Sequence, residues 1–146
     1  MIESIIDILL VEDNPHDVEW TLDALNIQHL ANRVKVLRDG KEALDYIFRT
    51  GRYKEDGDAR NNPVLILLAL KLSKIDGAEV LHRLRSDERT KRIPIVVLTD
   101  SLNDVERLKY YDLGVSSYIE KPVEVQKLIK ALGDVGFYWA VLNKAP

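Results

Sequence analysis

The chain has 146 residues and a formal net charge of −3, with 31% charged and 46% hydrophobic residues. This composition indicates one soluble globular domain with a single core, and the lack of a basic excess argues against nucleic acid as a partner. Cysteine is absent, which excludes disulfides and cysteine-ligated metals and fits a cytoplasmic protein. No apolar run is long enough to span a membrane, and the acidic N-terminus does not have the pattern of a signal peptide.

The first predicted unit is a buried strand followed by a helix. Residues 5–11 form a continuous apolar run, which is typical of a strand covered on both faces. Pro15 can occupy the first turn of a helix, with Asn14 as its side-chain cap. Apolar residues then recur at helical spacing along one face: Val18, Leu22 and Leu25.

The same alternation continues through the middle of the chain. Residues 33–37 alternate polar and apolar, as in a strand exposed on one side, and residues 43–48 carry the buried face of a second helix. Residues 52–62 are rich in charged residues, glycine and asparagine, which predicts a solvated loop. The apolar run of residues 63–72 predicts a central strand that is buried on both faces.

Later segments complete the order of strands and helices. A third amphipathic helix over residues 80–84 precedes an apolar strand at residues 95–99. Residues 102–111 predict a weakly anchored helix with a thin stripe of Leu102, Val105 and Leu108, closed by Gly114. Residues 116–119 predict a short last strand. The final helix has a stripe that reaches into the tail: Val125, Leu128, Ile129, Leu132, Val135 and Trp139.

Five strands that alternate with five helices predict an α/β fold, a doubly wound three-layer sandwich around a parallel sheet. We expect one domain over residues 1–146, with a core over about residues 5–132 and a helical extension over about residues 133–143. The tail is apolar over a wider arc than one core face requires, which favours a homodimer or a docked partner. The residues expected at this interface are Phe137, Tyr138, Trp139, Val141 and Leu142.

Charged and hydroxyl side chains follow the predicted strands. The carboxyl ends of parallel strands share one edge of a sheet, and that edge is where open α/β sheets bind ligands. Two carboxylates there offer oxygen ligands to a hard cation such as Mg²⁺, while a hydroxyl and an ammonium offer donors to a phosphoryl group. The residues expected at this pocket are Glu12, Asp13, Ala69, Thr99, Asp100 and Lys121.

Four segments resemble, in order and spacing, the motifs of response-regulator receiver domains of two-component systems. They are residues 9–14, 65–72 with Asp76-Gly77, 96–99 and 118–122. The resemblance implies a flavodoxin-like sheet of strand order 2-1-3-4-5 and a sensor histidine kinase as partner. Residues 32–34, 37–40 and 136–143 are similar to stand-alone receivers associated with bacterial phytochrome kinases, which implies a phytochrome-type kinase.

The resemblance also implies a metal and phosphoryl site. Glu12 and Asp13 would hold Mg²⁺, with the backbone carbonyl of Lys71 as a further ligand. Lys121 would bond the phosphoryl group, and the peptide between Lys121 and Pro122 would be cis.

Thr99 and Tyr118 would act as a coupled switch in which the Thr99 hydroxyl turns toward the phosphoryl group and the Tyr118 ring follows. In a chain without an acceptor, the alternative is that Thr99 only ends its strand and Tyr118 only packs on the sheet edge with its hydroxyl in water. The family carries its phosphoacceptor aspartate at the position where this chain has Ala69. A methyl group can neither attack a phosphohistidine nor ligate a metal. We therefore expect Mg²⁺ binding that is possible but weakened, and no required cofactor.

Two further departures from the family lie near position 69. Ser73 stands where the family usually has proline, and Asp100 stands where it usually has a small residue. Three changes around one pocket favour a naturally degenerate receiver over an engineered one. The charge of Lys121 needs a partner, for which Asp100 and Asp13 are candidates, and an Asp100 to Lys121 pair would hold the pocket in one state.

Three functions are consistent with this sequence. The leading one is a non-enzymatic, phosphorylation-independent protein-interaction module. The second is an ordinary phosphorelay regulator of phytochrome type with an engineered change from aspartate to alanine at position 69. The third is a flavodoxin-like enzyme that binds flavin or a nucleotide. Glu12 and Asp13 argue against the third, because they repel a phosphate and the loop has no glycine-rich cradle.

Overall fold

A computed structural model describes residues 8–56, 62–110 and 115–136. Within these ranges the strands are β1 (Ile8–Val11), β2 (Val34–Leu37), β3 (Leu65–Ala69), β4 (Ile95–Thr99) and β5 (Ser117–Glu120). The helices are α1 (Pro15–Ile27), α2 (Gly40–Phe48), α3 (Gly77–Arg85), α4 (Leu102–Tyr110) and α5 (Val125–Asp134). The strands form one parallel sheet in the order β2-β1-β3-β4-β5, which confirms the predicted fold.

The central strand is β3, which pairs with β1 on one side and β4 on the other. Val11 lies opposite Leu68, and Ala69 lies opposite Leu98. Helices α1 and α5 cover one face of the sheet, and α2, α3 and α4 cover the other. Every residue of β3 is therefore buried, which explains its uninterrupted apolar sequence.

Side-chain caps set the starting points of the helices near the pocket edge of the sheet. Asn14 caps α1, as predicted, because its Oδ1 accepts hydrogen bonds from the backbone N–H groups of His16 at 2.9 Å and Asp17 at 3.1 Å. Asp39 caps α2 and Asp76 caps α3 in the same way. These caps satisfy backbone donors that a helix leaves unpaired in its first turn.

Two glycines allow loops to pass close to the ends of helices. A methyl group on Gly40 would overlap the backbone carbonyl of Ile75, and one on Gly77 would overlap the carbonyl oxygen of Ala69. Both glycines therefore tie the loop after β3 tightly to the helices around it. That loop carries Lys71 and Ser73, which contact Asp100 and Asp13 at the pocket.

The segment predicted as a solvated loop is partly ordered. Gly51–Asp56 is a 3₁₀ helix, and the aromatic ring of Tyr53 packs edge-on against Tyr46 with the ring centroids 5.0 Å apart. The loop prediction was wrong for residues 52–56, because a single buried aromatic side chain anchors an otherwise polar stretch.

Two predicted apolar stripes also need correction. In α4, Val105 and Leu108 are buried but Leu102 is exposed, and in α5 Leu128 and Leu132 are buried but Ile129 is exposed. Periodicity marks an arc of a helix, and the angle at which the helix packs decides which members of the arc reach the core.

The last helix ends earlier than its stripe predicted. Val135 is the C-cap of α5, and Gly136 follows in the left-handed region with φ of 67°, a common way for a helix to stop. The tail residues predicted as an interface, Trp139 of the stripe, Gly114 and the start of the first strand lie outside the described residues. No helix in the described ranges is long and apolar enough to cross a membrane.

Candidate functional site

The carboxyl ends of the strands form the edge on which the candidate site lies. The backbone N–H of Glu12 donates to the carbonyl of Leu37 at 3.0 Å, and the backbone N–H of Lys121 donates to the carbonyl of Thr99 at 2.7 Å. These bonds extend the parallel pairing one residue past β1 and β5. They aim the side chains that follow the strands into one region.

Lys121 is the cation of this region, and two carboxylates hold it. Its Nζ lies 2.7 Å from Oε1 of Glu12 and 3.0 Å from Oδ2 of Asp17. The side chain of Lys121 is 9% exposed and that of Glu12 is 1% exposed, so this contact is almost wholly removed from water. The peptide between Lys121 and Pro122 is cis, as the resemblance implied.

In both Glu12 and Lys121, burial and the ion pairs shift the pKa in opposite directions. Burial raises the pKa of Glu12 above its ordinary value, although the ammonium of Lys121 opposes that rise. Burial by itself would lower the pKa of Lys121, but the carboxylates of Glu12 and Asp17 raise it above its ordinary value. We conclude that Lys121 is a protonated cation at neutral pH.

Asp13 is held from the other side of the pocket. Its Oδ2 accepts two hydrogen bonds from Ser73, one from the backbone N–H and one from the hydroxyl, both at 3.0 Å. A proline at position 73 would supply neither donor. Ser73 therefore fastens the Asp13 carboxylate to the loop after β3, which the proline that the resemblance implies at this position could not do.

Ala69 is the last residue of β3 and is fully buried. Its methyl group packs in the apolar cluster on the α1 and α5 side of the sheet. Position 69 is therefore part of the core, and it contributes no polar atom from its side chain to the site.

The hydroxyl of Thr99 is engaged by the loop that follows β4. Thr99 Oγ1 donates to the carbonyl of Ser101 at 3.0 Å and accepts from the backbone N–H of Ser101 at 3.1 Å. Tyr118, the other predicted switch residue, is 41% exposed and lies on β5 opposite Val97. The Thr99 hydroxyl is thus satisfied within its own loop.

Asp100 does not pair with Lys121, which corrects one expectation. Its carboxylate is 55% exposed and lies 3.9 Å from the ammonium of Lys71 at the rim. Lys121 extends inward to Glu12 and Asp17 instead. The ammonium gains more from two carboxylates in a poorly hydrated position than from one carboxylate in water.

Few side-chain oxygens in the pocket are available as ligands for a divalent cation. Glu12 faces an ammonium, and one oxygen of the Asp13 carboxylate accepts both hydrogen bonds of Ser73. Among the residues that the structure describes, no cluster of three or more acidic, histidine or cysteine side chains is arranged to hold a metal ion. This donor set fits Mg²⁺ poorly, because Mg²⁺ demands near-octahedral oxygen geometry and dehydrates reluctantly.

Sequence reasoning missed Asp17 as a site residue and gave Ser73 no role. A signal for Asp17 did exist, since it is the third residue of a helix that begins at the pocket edge, one turn beyond Asp13. Nothing in the sequence pairs Ser73 with Asp13 across 60 positions.

The family profile described as "Response regulator receiver domain" matches residues 8–133. The probable methanogenesis regulatory protein FilR2 of Methanothrix harundinacea is 37% identical over 139 residues, which are 95% of this chain and 86% of FilR2. The response regulator Rcp1 of Synechocystis sp. is 35% identical over 132 residues, which are 90% of this chain and 87% of Rcp1.

The solved structures that are similar to this chain are also response regulators. The bacteriophytochrome response regulator RtBRR is 46% identical with a TM-score of 0.86, covering 97% of this chain and 84% of that one. The phosphorylated cyanobacterial phytochrome response regulator RcpA is 37% identical with a TM-score of 0.71, covering 97% of each chain. The Mn(2+)-bound form of Rcp1 is 35% identical with a TM-score of 0.71, covering 90% of this chain and 92% of that one.

Proposed function

The chain belongs to the response regulator receiver domain family and is similar to its phytochrome-associated members, and on that premise we propose that it signals through protein contacts without being phosphorylated. Receiver domains of this family are generally non-enzymatic, and the proposed role needs no reaction. The family assignment favours a receiver over the flavin- or nucleotide-binding enzyme that the sequence left open.

The observation that carries the proposal is Ala69. It stands at the carboxyl end of the central strand, where the resemblance to receivers implies an aspartate, and it is fully buried. A methyl group has no lone pair with which to attack phosphorus. A chain with alanine where the resemblance implies the acceptor supports signalling without phosphorylation.

The neighbouring groups support the same proposal. Lys121, which would bond the phosphoryl group, is already held by two carboxylates. The Thr99 hydroxyl, which would turn toward the phosphoryl group, bonds the backbone of Ser101. Each group that phosphorylation would recruit thus has an internal partner.

We propose that Mg²⁺ is not required and binds weakly at most. RcpA is described as phosphorylated and Rcp1 as Mn(2+)-bound, and those properties belong to those proteins. In this chain Glu12 and Asp13 remain, but both have internal partners. The third carboxylate that a cation would share with them is absent at Ala69.

The proposed partner is a sensor histidine kinase of phytochrome type, which the chain would bind in the cytoplasm. The resemblance of the chain to RtBRR and Rcp1 supports this choice.

We further propose that the apolar tail beyond α5, with Phe137, Tyr138, Trp139, Val141 and Leu142, mediates a homodimer. The tail is apolar over a wider arc than packing against the core of one monomer requires.

The first prediction concerns phosphorylation. Incubating the unmodified chain with a small acyl phosphate and Mg²⁺ is expected to leave its intact mass unchanged, because the acceptor carboxylate is missing. Stable phosphorylation of any aspartate would contradict the proposal. A receiver that carries the aspartate, treated in parallel, shows that the phosphodonor is active.

The variant Ala69→Asp separates a degenerate receiver from an ordinary one with a single altered residue. Rapid phosphorylation of the variant by a histidine kinase would favour the single alteration, because the rest of the pocket would then be competent. Slow or absent phosphorylation would favour the degenerate receiver, because the groups around position 69 would then have lost the reaction as well.

The second prediction concerns the dimer. The full chain is expected to have the mass of a dimer in solution by light scattering, and a chain truncated after Gly136 is expected to have that of a monomer. The described helix α5 ends at Asp134, so the truncation leaves that helix intact. A monomeric full chain, or a dimer that survives the truncation, would disprove the role of the tail.

A further inference from the structure

We propose that Asp17 is a positioning residue that takes the place of the missing acceptor carboxylate at Lys121, so that the pocket keeps its cation without a phosphoryl group or a divalent cation. This inference rests on the proposed function, in which position 69 carries no phosphoryl group. It adds a residue and a charge balance to that function.

The geometry of Lys121 calls for a second carboxylate. An ammonium has three protons to donate, and that of Lys121 is nearly buried, with Oε1 of Glu12 at 2.7 Å and Oδ2 of Asp17 at 3.0 Å. A cation at this depth loses most of its hydration and needs charged or polar partners in compensation. Glu12 alone does not supply all the partners that this ammonium needs, and Asp17 provides a second carboxylate.

The start of α1 explains how Asp17 reaches Lys121. The Asn14 side chain accepts a hydrogen bond from the backbone N–H of Asp17 at 3.1 Å, which fixes the first turn of the helix shortly after the end of β1. The Asp17 side chain is 29% exposed, while its Lys121 partner is 9% exposed. The carboxylate therefore spans from the solvent-facing turn of α1 to a cation inside the pocket.

The other acids near the pocket are occupied elsewhere. Asp13 accepts both hydrogen bonds of Ser73, and Asp100 lies at the rim near Lys71. Among the described residues, the ion pairs of Lys121 are those with Glu12 and Asp17. A carboxylate restored at position 69 would thus have to compete with Asp17 for the ammonium.

The ammonium of Lys121 gives a direct test by NMR on the full chain. In the unmodified protein its resonance is expected to be protected from solvent exchange and unaffected by millimolar Mg²⁺. Asp17→Asn is expected to broaden or shift it, and Asp23→Asn, an exposed acid on the same helix, is the matched control that leaves it unchanged. A Lys121 resonance that is the same with and without Asp17→Asn overturns the inference. Backbone amide spectra show that each variant is folded.

A rate measurement tests the competition. Phosphorylation of Ala69→Asp by a small acyl phosphate is expected to become about tenfold faster when Asp17→Asn is added, since a hydrogen bond between charged groups is removed from the cation. Equal rates in the two proteins would contradict the competition.

The phosphorylation assay on the unmodified chain and the NMR test of Lys121 together separate this inference from the proposed function. If the unmodified chain is phosphorylated while its Lys121 resonance still depends on Asp17, the proposed function fails and the positioning role remains. If the resonance ignores Asp17, the positioning role fails whatever the phosphorylation result.

Discussion

Replacing Lys121 with methionine is expected to lower the free energy of unfolding by about 3 kcal/mol, because it leaves the nearly buried Glu12 carboxylate without its cation. Methionine keeps most of the length and apolar volume of the lysine stem, so the loss reports on charge more than on packing. Urea unfolding followed by circular dichroism measures the change.

The matched control for Lys121 is Lys130. Its ammonium lies 3.2 Å from Asp134 one helical turn away, with the lysine side chain 79% exposed. Replacing it with methionine is expected to change the unfolding free energy by no more than about 0.5 kcal/mol, as for other solvent-exposed pairs. Equal effects at Lys121 and Lys130 would show that the pocket pair is not a buried one.

Replacing Gly40 with alanine is expected to cost about 3 kcal/mol of unfolding free energy, at the upper end of what overpacking a tight contact costs. The added methyl group would overlap the backbone carbonyl of Ile75, and neither backbone segment can move as a flexible side chain would. The loop after β3 would have to shift, and Ser73, whose carbonyl accepts the backbone N–H of Gly40 at 3.2 Å, would shift with it.

Gly133 is the control for Gly40. It lies within α5, and among the described residues a methyl group there would meet no atom within 4 Å outside the adjoining backbone of the helix. Alanine at this position is expected to raise the unfolding free energy by about 0.5 kcal/mol, since alanine loses less backbone entropy than glycine in a helix. Opposite signs for Gly40 and Gly133 are the result to look for in thermal or urea unfolding. A Gly40→Ala protein as stable as the unmodified chain would disprove the close approach.

Local sequence patterns predicted most of the fold. The apolar runs gave buried strands because a strand covered by helices on both faces has no position for a polar side chain. Asn14 and Pro15 marked the start of α1 because capping depends on neighbouring residues alone. Patterns failed where packing decides, as at Tyr53, whose burial organises a polar stretch, and at Ile129, which lies on the predicted stripe but is exposed.

The site divides in the same way. Glu12 and Lys121 directly follow strands and Thr99 ends one, so the parallel sheet brings all three to one edge whatever their side chains do. The order of the motifs likewise put Ala69 at the position where the resemblance implies an aspartate. The motifs did not predict the partner of Lys121, and the expected pair with Asp100 was wrong.

By itself the sequence determined the alternation of strands and helices and the edge on which the site lies, and its resemblance to receivers predicted an aspartate where Ala69 stands. Only the tertiary structure decided which acids neutralise Lys121 and which donors hold Asp13. Asp17 is 104 positions from Lys121 in the chain, and its pairing with Lys121 follows from distance and desolvation, which depend on how α1 packs against α5 and not on the order of residues.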